Sequence, residues 1–308
     1  VIDTGSDTDH QSLNAEAFEY ALAQLAEKAG VSYEEYVASL DLLDADEIAS
    51  VADQLNAPVA GEAYINAKLP FGYNYIDEDL NVTHDLDTQG SHGSHVAGIA
   101  TANSYIPAED GFVSALSSAM VQGVAPEAQL ITMKVFGKAG GAYDSDYMAA
   151  IEDAIVLGCD AANLSLGSGN PGTSRNATAE YQAILDSLTD TGIVVAMSAG
   201  NSGYWAENAY NAGFLYADDV SMQTNGSPGS FTNSLSVASV DNDGKTGYAF
   251  NIGDLMIVYN EMLEGNSGPY TNKPFTTIAG DHEYVFIDGI GSAADWAAVG
   301  SALEGKIA

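Results

Sequence analysis

Residues 129–166 read QLITMKVFGKAGGAYDSDYMAAIEDAIVLGCDAANLSL, and the order of apolar and polar segments in this stretch indicates the fold. Its two ends, QLITMKV (129–135) and DAANLSL (160–166), are short apolar runs, which are typical of strands buried on both faces. Between them, residues of about 144–158 carry apolar side chains at helical spacing. A strand, a helix and a second strand predict parallel neighbours joined by a right-handed crossover.

The same alternation extends to both sides of this stretch. A helix over about 177–190 leads to the apolar strand GIVVAMSA (192–199), and SLSVASV (234–240) is a further predicted strand. Towards the N-terminus, HGSHVAGIATAN (92–103) has the composition of a helix, and Val1-Ile2 opens the chain in a strand pattern. The sequence therefore predicts an α/β fold with a parallel sheet flanked by helices.

Two segments depart from this alternation. Residues of about 11–70 predict a helical insertion, in which Asn14 caps one helix and Gly30 ends it. After about residue 247, GYAFNIGDLMIVYN and HEYVFIDGIG alternate and contain turn residues, which predicts short strands. We therefore divide the chain into a domain of residues 1–246 and the start of a β-rich domain over 247–308.

The charge of the chain limits its partners. Its 308 residues contain 43 Asp and Glu against 8 Lys and Arg, a net charge of −35, which excludes nucleic acids and anionic membranes as partners. No apolar run approaches the roughly 18 residues of a membrane span. The bias suits cationic substrates or bound Ca²⁺, and a salt-rich habitat is an alternative cause. The single cysteine, Cys159, excludes an internal disulfide and is predicted to be a buried structural residue.

Polar residues stand where the strands and one helix begin or end. Asp3 follows the first strand, His92 starts a helix, and Asn201 follows the strand 192–199, each beside small residues. In α/β sheets, chemistry is found at the carboxyl ends of strands. An Asp that orients a His, a His that removes a proton and an Asn that donates to an oxyanion together point to acyl transfer. His95, with the apolar run behind it, is expected to anchor the helix in the core.

Six motifs, in order, resemble those of subtilisin-type serine peptidases, the subtilases. The matching segments are VIDTGSDTDHQSL (1–13), SHGSHVAGI (91–99), GVAPEAQLITMKVFG (123–137), ANLSLG (162–167), SAGNSG (198–203) and SPGSFTNSLSVASVD (227–241). Ser94 stands where the family usually has Thr. The resemblance implies that Asp3 is the aspartate of the triad, His92 the general base and Asn201 the oxyanion donor.

The resemblance also implies a site for an extended substrate peptide. Two segments match those that clasp the substrate in the family, Gly140-Gly141-Ala142 and Ser165-Leu166-Gly167. Their backbone groups can pair with a peptide that adds as a strand between them. A protein or peptide substrate is therefore implied, with no cofactor required for the chemistry. The sequence carries no information on oligomeric state.

The helical insertion and KLPFGYNYIDED (68–79) resemble bacterial cell-envelope subtilases, the lactocepin-like proteinases and the streptococcal complement-cleaving peptidases. This resemblance implies a protease-associated domain inserted after the oxyanion Asn, of which residues 247–308 are the start. It also implies a secreted or surface-attached bacterial protein.

The nucleophilic serine of the family is missing from this pattern. The family carries it in a G-T-S-M-A segment downstream of the oxyanion Asn, and no such segment follows Asn201. The only G-T-S, Gly172-Thr173-Ser174, precedes Asn201 and is followed by Arg175, so we do not assign it as the nucleophile. We expect the chain to be a fragment, with its serine beyond Ala308, that does not hydrolyse peptides by itself.

Three alternatives remain open from the sequence. One is a catalytically inactive subtilase-like module that binds peptides. Another is a metallohydrolase that holds a metal through His92 and His95, although this pair lacks the acid of metalloprotease helices. Finally, the acids of YNYIDEDLN (73–81) and DLD (85–87) are either structural Ca²⁺ ligands or solvated loop acids.

Overall fold

A computed structural model describes most of the chain, in two compact units of residues 1–239 and 240–308. The described residues are 1–58, 60–85, 87–88, 90–167, 179–201, 225–231, 233–240, 248–259, 280–289 and 292–307. The candidate Gly172-Thr173-Ser174 therefore lies outside them. The predicted boundary at 246/247, and the assignment of residues 247–308 to an inserted domain, stay predictions.

The first unit is built on one parallel sheet. Six strands form this sheet: β1 (Ile2–Asp3), β2 (Phe71–Asn74), β5 (Ile131–Lys134), β6 (Ala161–Leu164), β7 (Val194–Ser198) and β8 (Leu235–Val237). Their spatial order is β2-β5-β1-β6-β7-β8, and every described pairing is parallel. The predicted α/β class with a parallel sheet is confirmed.

The strand register places one apolar row and one polar row beside each other. The apolar row crosses five neighbouring strands, with one buried residue on each that pairs with the residue on the next strand. Its members are Tyr73, Met133, Ile2, Leu164 and Met197. One residue further along, Asn74, Lys134 and Asp3 form the next row, which is also buried. Because successive side chains alternate between faces, the two rows lie on opposite faces of the sheet.

Helices supply the rest of this core. In the first unit they are α1 (Ala15–Ala29), α2 (Tyr33–Ala38), α3 (Ala45–Val51), α4 (His92–Thr101), α5 (Ala115–Ser118), α6 (Asp144–Val156) and α7 (Ala179–Ser187). Ala150, Ile151 and Ala154 of α6, with Leu185 of α7, pack in the same cluster as the apolar row. In the chain, α6 lies between β5 and β6 and α7 lies between β6 and β7, as predicted for parallel strands joined by helices.

The helical insertion between β1 and β2 is confirmed, and local capping explains its ends. Asn14 accepts a hydrogen bond from the Ala17 N–H, and Gly30 ends α1 with a left-handed φ of 74°. Ser32 caps α2, and Asp44 forms a capping box with Glu47 at the start of α3.

The remaining strands form two antiparallel hairpins. β3 (Tyr105–Ala108) pairs with β4 (Gly111–Ser114) in the first unit. In the second unit, β9 (Tyr248–Ile252) pairs with β10 (Leu255–Tyr259), and α8 (Ala293–Val299) comes next. The first of the two segments predicted to form short strands after residue 247 therefore does so, whereas HEYVFIDGIG (282–291) forms, in its described residues, only an isolated bridge between Tyr284 and Ile307. None of the helices that the structure describes has the length and apolarity needed to span a bilayer.

Candidate active site

The site is built where β1 ends and α4 begins. Asp3 is the last residue of β1, between β5 and β6 in the sheet, and its side chain is buried. His92 is the first residue of α4. The helix packs tightly on the loop after β1, because a Cβ on Gly93 would lie 2.1 Å from the Gly5 carbonyl oxygen. Glycine at position 93 therefore allows His92 to approach Asp3.

Asp3 and His92 are joined directly. Asp3 Oδ1 lies 2.7 Å from His92 Nδ1 and also accepts a 2.7 Å hydrogen bond from the Thr4 N–H. An ionised carboxylate can only accept, so Nδ1 carries the hydrogen of this bond, and in the neutral imidazole the lone pair is on Nε2. The His92 side chain is 53% exposed, whereas that of Asp3 is 1% exposed. The pair therefore presents a basic nitrogen on an accessible ring, held from behind by a buried carboxylate.

Thr4 connects this pair to the helix that carries His92. Its hydroxyl accepts a 2.9 Å hydrogen bond from the Gly93 N–H, one of the first amides of α4, which have no partner within the helix. Its carbonyl accepts a 2.8 Å bond from the Lys134 ammonium. Its N–H donates to Asp3, so the N–H, the hydroxyl and the carbonyl of Thr4 all form hydrogen bonds that hold the site. Sequence reasoning did not single out Thr4, although it stands in the D-T-G motif.

Lys134 is a second residue that sequence reasoning missed. It is buried beside Asp3 in the strand register, and its ammonium also forms an ion pair with Asp87. Thr88 then donates through its N–H and its hydroxyl to the Lys138 carbonyl, at 3.0 Å each. The loop before α4 is thereby tied to the loops after β1 and β5. A charged residue inside the apolar run QLITMKV was the available signal.

Ser94 and the other histidines lie around the same helix. Ser94 Oγ accepts a 2.8 Å bond from the Asp7 N–H and lies 3.3 Å from His84 Nδ1, so the residue in place of the usual Thr still fastens the β1 loop. His10 Nδ1 accepts from the Ser12 N–H. His95 is exposed and lines a cavity of about 790 Å³ beside α4.

The expectation that His95 and the following apolar run anchor α4 in the core is wrong for His95, and within the run only Ala97 is fully buried in a core cluster. The buried stripe of α4 consists of Gly93, Ala97 and Thr101, at four-residue spacing, and His95 falls off this stripe. Ile99 is also exposed. At Gly93 a small residue is required because the helix lies too close to the β1 loop for a side chain.

The other predicted site residues lie at the carboxyl ends of neighbouring strands. Gly140, Gly141 and Ala142 follow β5, and all three are exposed or half-buried. Ser165, Leu166 and Gly167 follow β6, where the Leu166 carbonyl accepts from Ser198 Oγ at 3.0 Å. Asn201 is exposed and follows β7. Since these strands are parallel, all these residues lie at the edge of the sheet that holds Asp3.

Two further predictions concern metals and the cysteine. Within the described ranges no three His, Cys, Asp or Glu side chains are grouped to hold a metal ion. The loop acids Asp77 and Asp79 instead accept hydrogen bonds from the Asn74 amide, at 3.0 and 3.1 Å. Burial raises the pKa of the Cys159 thiol to about 11, so little nucleophilic thiolate forms at neutral pH.

Comparisons with known proteins show which family the chain belongs to. Residues 1–299 match the family model described as "Subtilase family". The PI-type proteinase of Lactococcus lactis subsp. cremoris is 38% identical over 187 residues, which are 58% of this chain and 9% of that protein. The minor extracellular protease Vpr of Bacillus subtilis (strain 168) is 28% identical over 243 residues, 77% of this chain and 25% of that protein.

Among solved structures, the nisin leader peptidase NisP from Lactococcus lactis aligns with a TM-score of 0.37 and 23% identity, over 55% of this chain and 49% of that one. The chain spans about a tenth of the length of the lactococcal proteinase that it matches. The residues matched by the family model include both Asp3 and His92 and make up nearly the whole sequence. The chain belongs to the subtilase family of peptidases.

Proposed function

We propose that the protein is a serine endopeptidase that cleaves peptide bonds through an Asp-His-Ser triad. The 2.7 Å contact between Asp3 Oδ1 and His92 Nδ1 carries this proposal, because it leaves Nε2 as a base on an accessible ring. His92 would remove the proton of a serine hydroxyl and later deliver it to the leaving amine. Asp3 would hold the ring and stabilise the imidazolium.

The remaining roles rest on the position of each residue at the carboxyl edge of the sheet. Asn201 would donate to the oxyanion of the tetrahedral intermediate. Gly140–Ala142 and Ser165–Gly167 would bind the backbone of an extended peptide substrate, since they follow the two strands that flank β1. The serine would come from a G-T-S-M-A-like segment outside the printed sequence, and the present chain would be inactive without it.

The setting of the protein is part of the same proposal. We place it outside the cell, secreted or attached to the bacterial envelope, in line with the relative named an extracellular protease. Its net charge of −35 favours substrates with basic residues.

Fluorophosphonate labelling of a form of the protein that includes the serine segment tests the proposal. We expect labelling in the parent protein, and a loss of several orders of magnitude in kcat for His92→Ala. His95→Gln, on the same helix, is the matched control and should keep nearly full activity. A loss below tenfold for His92→Ala would refute its role as the base. No labelling in any form would favour the peptide-binding alternative.

A further inference from the structure

The helix that carries His92 ends inside the protein, and its last carbonyl groups need donors. The final carbonyls of any helix lack partners within it, and Thr101, Ala102 and Asn103 are all buried. The chain at 123–125 supplies three donors: the Gly123, Val124 and Ala125 N–H groups bond to the carbonyls of Ala102, Ile99 and Ala100, at 2.8 to 2.9 Å. The carbonyl of Thr101 is left over.

Lys68 completes this set. Its ammonium, fully buried, donates to the Thr101 carbonyl at 2.8 Å, and also to the carbonyls of Pro126 at 2.9 Å and Ala128 at 2.7 Å. An ammonium has three hydrogens, and all three have an acceptor here. Nζ also lies 5.0 Å from the centre of the Phe18 ring. In the described part of the chain no carboxylate forms an ion pair with it.

Burying a lysine ammonium costs free energy of folding, which argues that Lys68 does more than fill space. Burial lowers the pKa of Lys68 to about 7, opposed by the negative charge of Glu127. A methionine would fill a similar volume without placing a charge among apolar residues. What the ammonium adds is a link between three chain segments, namely the end of α4, the loop 126–128 and the start of β2. A positive charge at this end also suits the helix dipole.

The position of His92 depends on how both ends of α4 are held. Its N-terminal end is fixed by the Gly93 N–H on Thr4 Oγ1, and its C-terminal end by the N–H groups of residues 123–125 together with Lys68. A helix of ten residues is about 15 Å long. If the C-terminal end is released, the helix can tilt around its N-terminal end, and a tilt of about 5°, which is a shift of roughly 1 Å at the released end, turns His92 through the same angle. Misplacement of a catalytic group by about 1 Å, even when caused far from the chemistry, can cost about 100-fold in rate.

We infer that Lys68 is a positioning residue for His92. Its Nζ, bonded to carbonyls of two other chain segments, fixes the far end of the helix that carries the base. The inference rests on the proposed peptidase function for its effect on rate. Its effect on the Asp3–His92 hydrogen bond does not depend on that function.

The test therefore follows the His92 ring as well as the reaction. The variant is Lys68→Met, and the first readout is the NMR signal of the His92 Nδ1–H in the chain as it stands. We expect this signal to shift or broaden through faster exchange with water. In a form of the protein that cleaves peptides, kcat should fall about 10- to 100-fold with KM changed less than twofold.

Tyr75→Phe serves as a stability-matched control. It removes a buried 2.8 Å hydrogen bond to Asp153 of α6 in the same unit. Its unfolding midpoint should also fall, with the His92 signal unchanged. If Lys68→Met does not fold, Lys68→Gln, whose amide still donates, is measured in its place.

The outcomes separate this inference from the peptidase proposal. A Lys68 variant that is destabilised but has the parent His92 signal would overturn it, because Lys68 would then only support the fold. An equal change of the signal in Tyr75→Phe would overturn it too. A changed signal in the Lys68 variant alone, together with no fluorophosphonate labelling of the form that includes the serine segment, would leave the positioning role intact and refute the peptidase.

Discussion

Thr4 shows how one residue sets the geometry of the candidate site. Its N–H, hydroxyl and carbonyl bond to Asp3, to the first turn of α4 and to Lys134 respectively. The aspartate, the helix of the base and the neighbouring strand therefore meet at a single buried residue. Small displacements of Thr4 would be passed to both members of the Asp3–His92 pair.

Replacing Thr4 by Val should damage the site more than its change in volume suggests. Valine keeps the branched shape but leaves the buried Gly93 N–H without an acceptor, which costs about 1–3 kcal/mol. We expect a loss of that size in the free energy of unfolding in urea, and at least a tenfold loss of activity. Thr4→Ser keeps the hydroxyl and should retain most of both. Parent-like activity in Thr4→Val would show that the helix start is held by other contacts.

Lys68 should also give the protein a characteristic dependence on pH. Its pKa falls from an ordinary 10.5 to about 7 on folding. Between these two pH values the unfolded chain binds a proton that the folded chain does not, so stability rises with pH, by up to about 1.4 kcal/mol per unit. Below pH 7 both states are protonated and the contribution is constant.

Urea unfolding of the parent and Lys68→Met at pH 6, 7.5 and 9 would measure this dependence. We expect the stability of the parent relative to Lys68→Met to be least at pH 6 and greatest at pH 9. Lys28→Met, on the exposed surface of α1, controls for the loss of one positive charge from a strongly acidic chain. A constant difference between parent and Lys68→Met would mean that the carbonyl acceptors keep Lys68 charged throughout this range.

At the scale of the element, α4 offers a matched pair of glycines. A Cβ on Gly93 would meet the Gly5 carbonyl oxygen at 2.1 Å, whereas a Cβ on Gly98 would meet nothing within 4 Å. Both lie in the same helix, so alanine has the same intrinsic advantage at each, about 1 kcal/mol. Gly98→Ala should therefore be neutral or stabilising. Gly93→Ala should displace the helix and abolish activity.

Thermal unfolding and activity of the two variants would check this pair. Loss of activity with a stable fold in Gly93→Ala would confirm that the approach of α4 to the β1 loop matters for chemistry. Parent-like activity in Gly93→Ala would contradict it. A destabilised Gly98→Ala would indicate that Ile99 and its neighbours are covered in solution.

The elements were predictable to the extent that their cause is local. β5 stands out because a parallel strand buried on both faces is an apolar run, and α1 because Asn14 and Gly30 mark its ends. The contact of Asp3 with His92 followed from motifs 89 positions apart. The apolar run around Lys134 was a signal that this lysine is buried. The roles of Lys134 and Lys68 could not be predicted, since they depend on carbonyl and carboxylate partners that are distant in the sequence.

For the molecule as a whole, the charge imbalance dominates. With 43 acids against 8 bases, the folded chain concentrates negative charge that the unfolded chain spreads out. An ion pair such as Lys134–Asp87 neutralises an acid only locally. Repulsion among exposed acids should therefore oppose folding most strongly at low ionic strength.

Salt should stabilise the protein, because the screening length falls from about 10 Å at 0.1 M to 3 Å at 1 M. We expect the unfolding midpoint to rise between 0.02 and 1 M NaCl, and to rise less in the double variant Glu109→Gln/Asp110→Asn, which removes two exposed acids at the β3–β4 turn. Millimolar CaCl₂ at matched ionic strength separates screening from specific binding. Since the Asn74 amide already donates hydrogen bonds to Asp77 and Asp79, we expect calcium to raise the unfolding midpoint no further than NaCl does. A saturable extra rise with calcium, lost in Asp79→Asn, would show instead that Asn74 turns its oxygen inwards and that these acids are metal ligands.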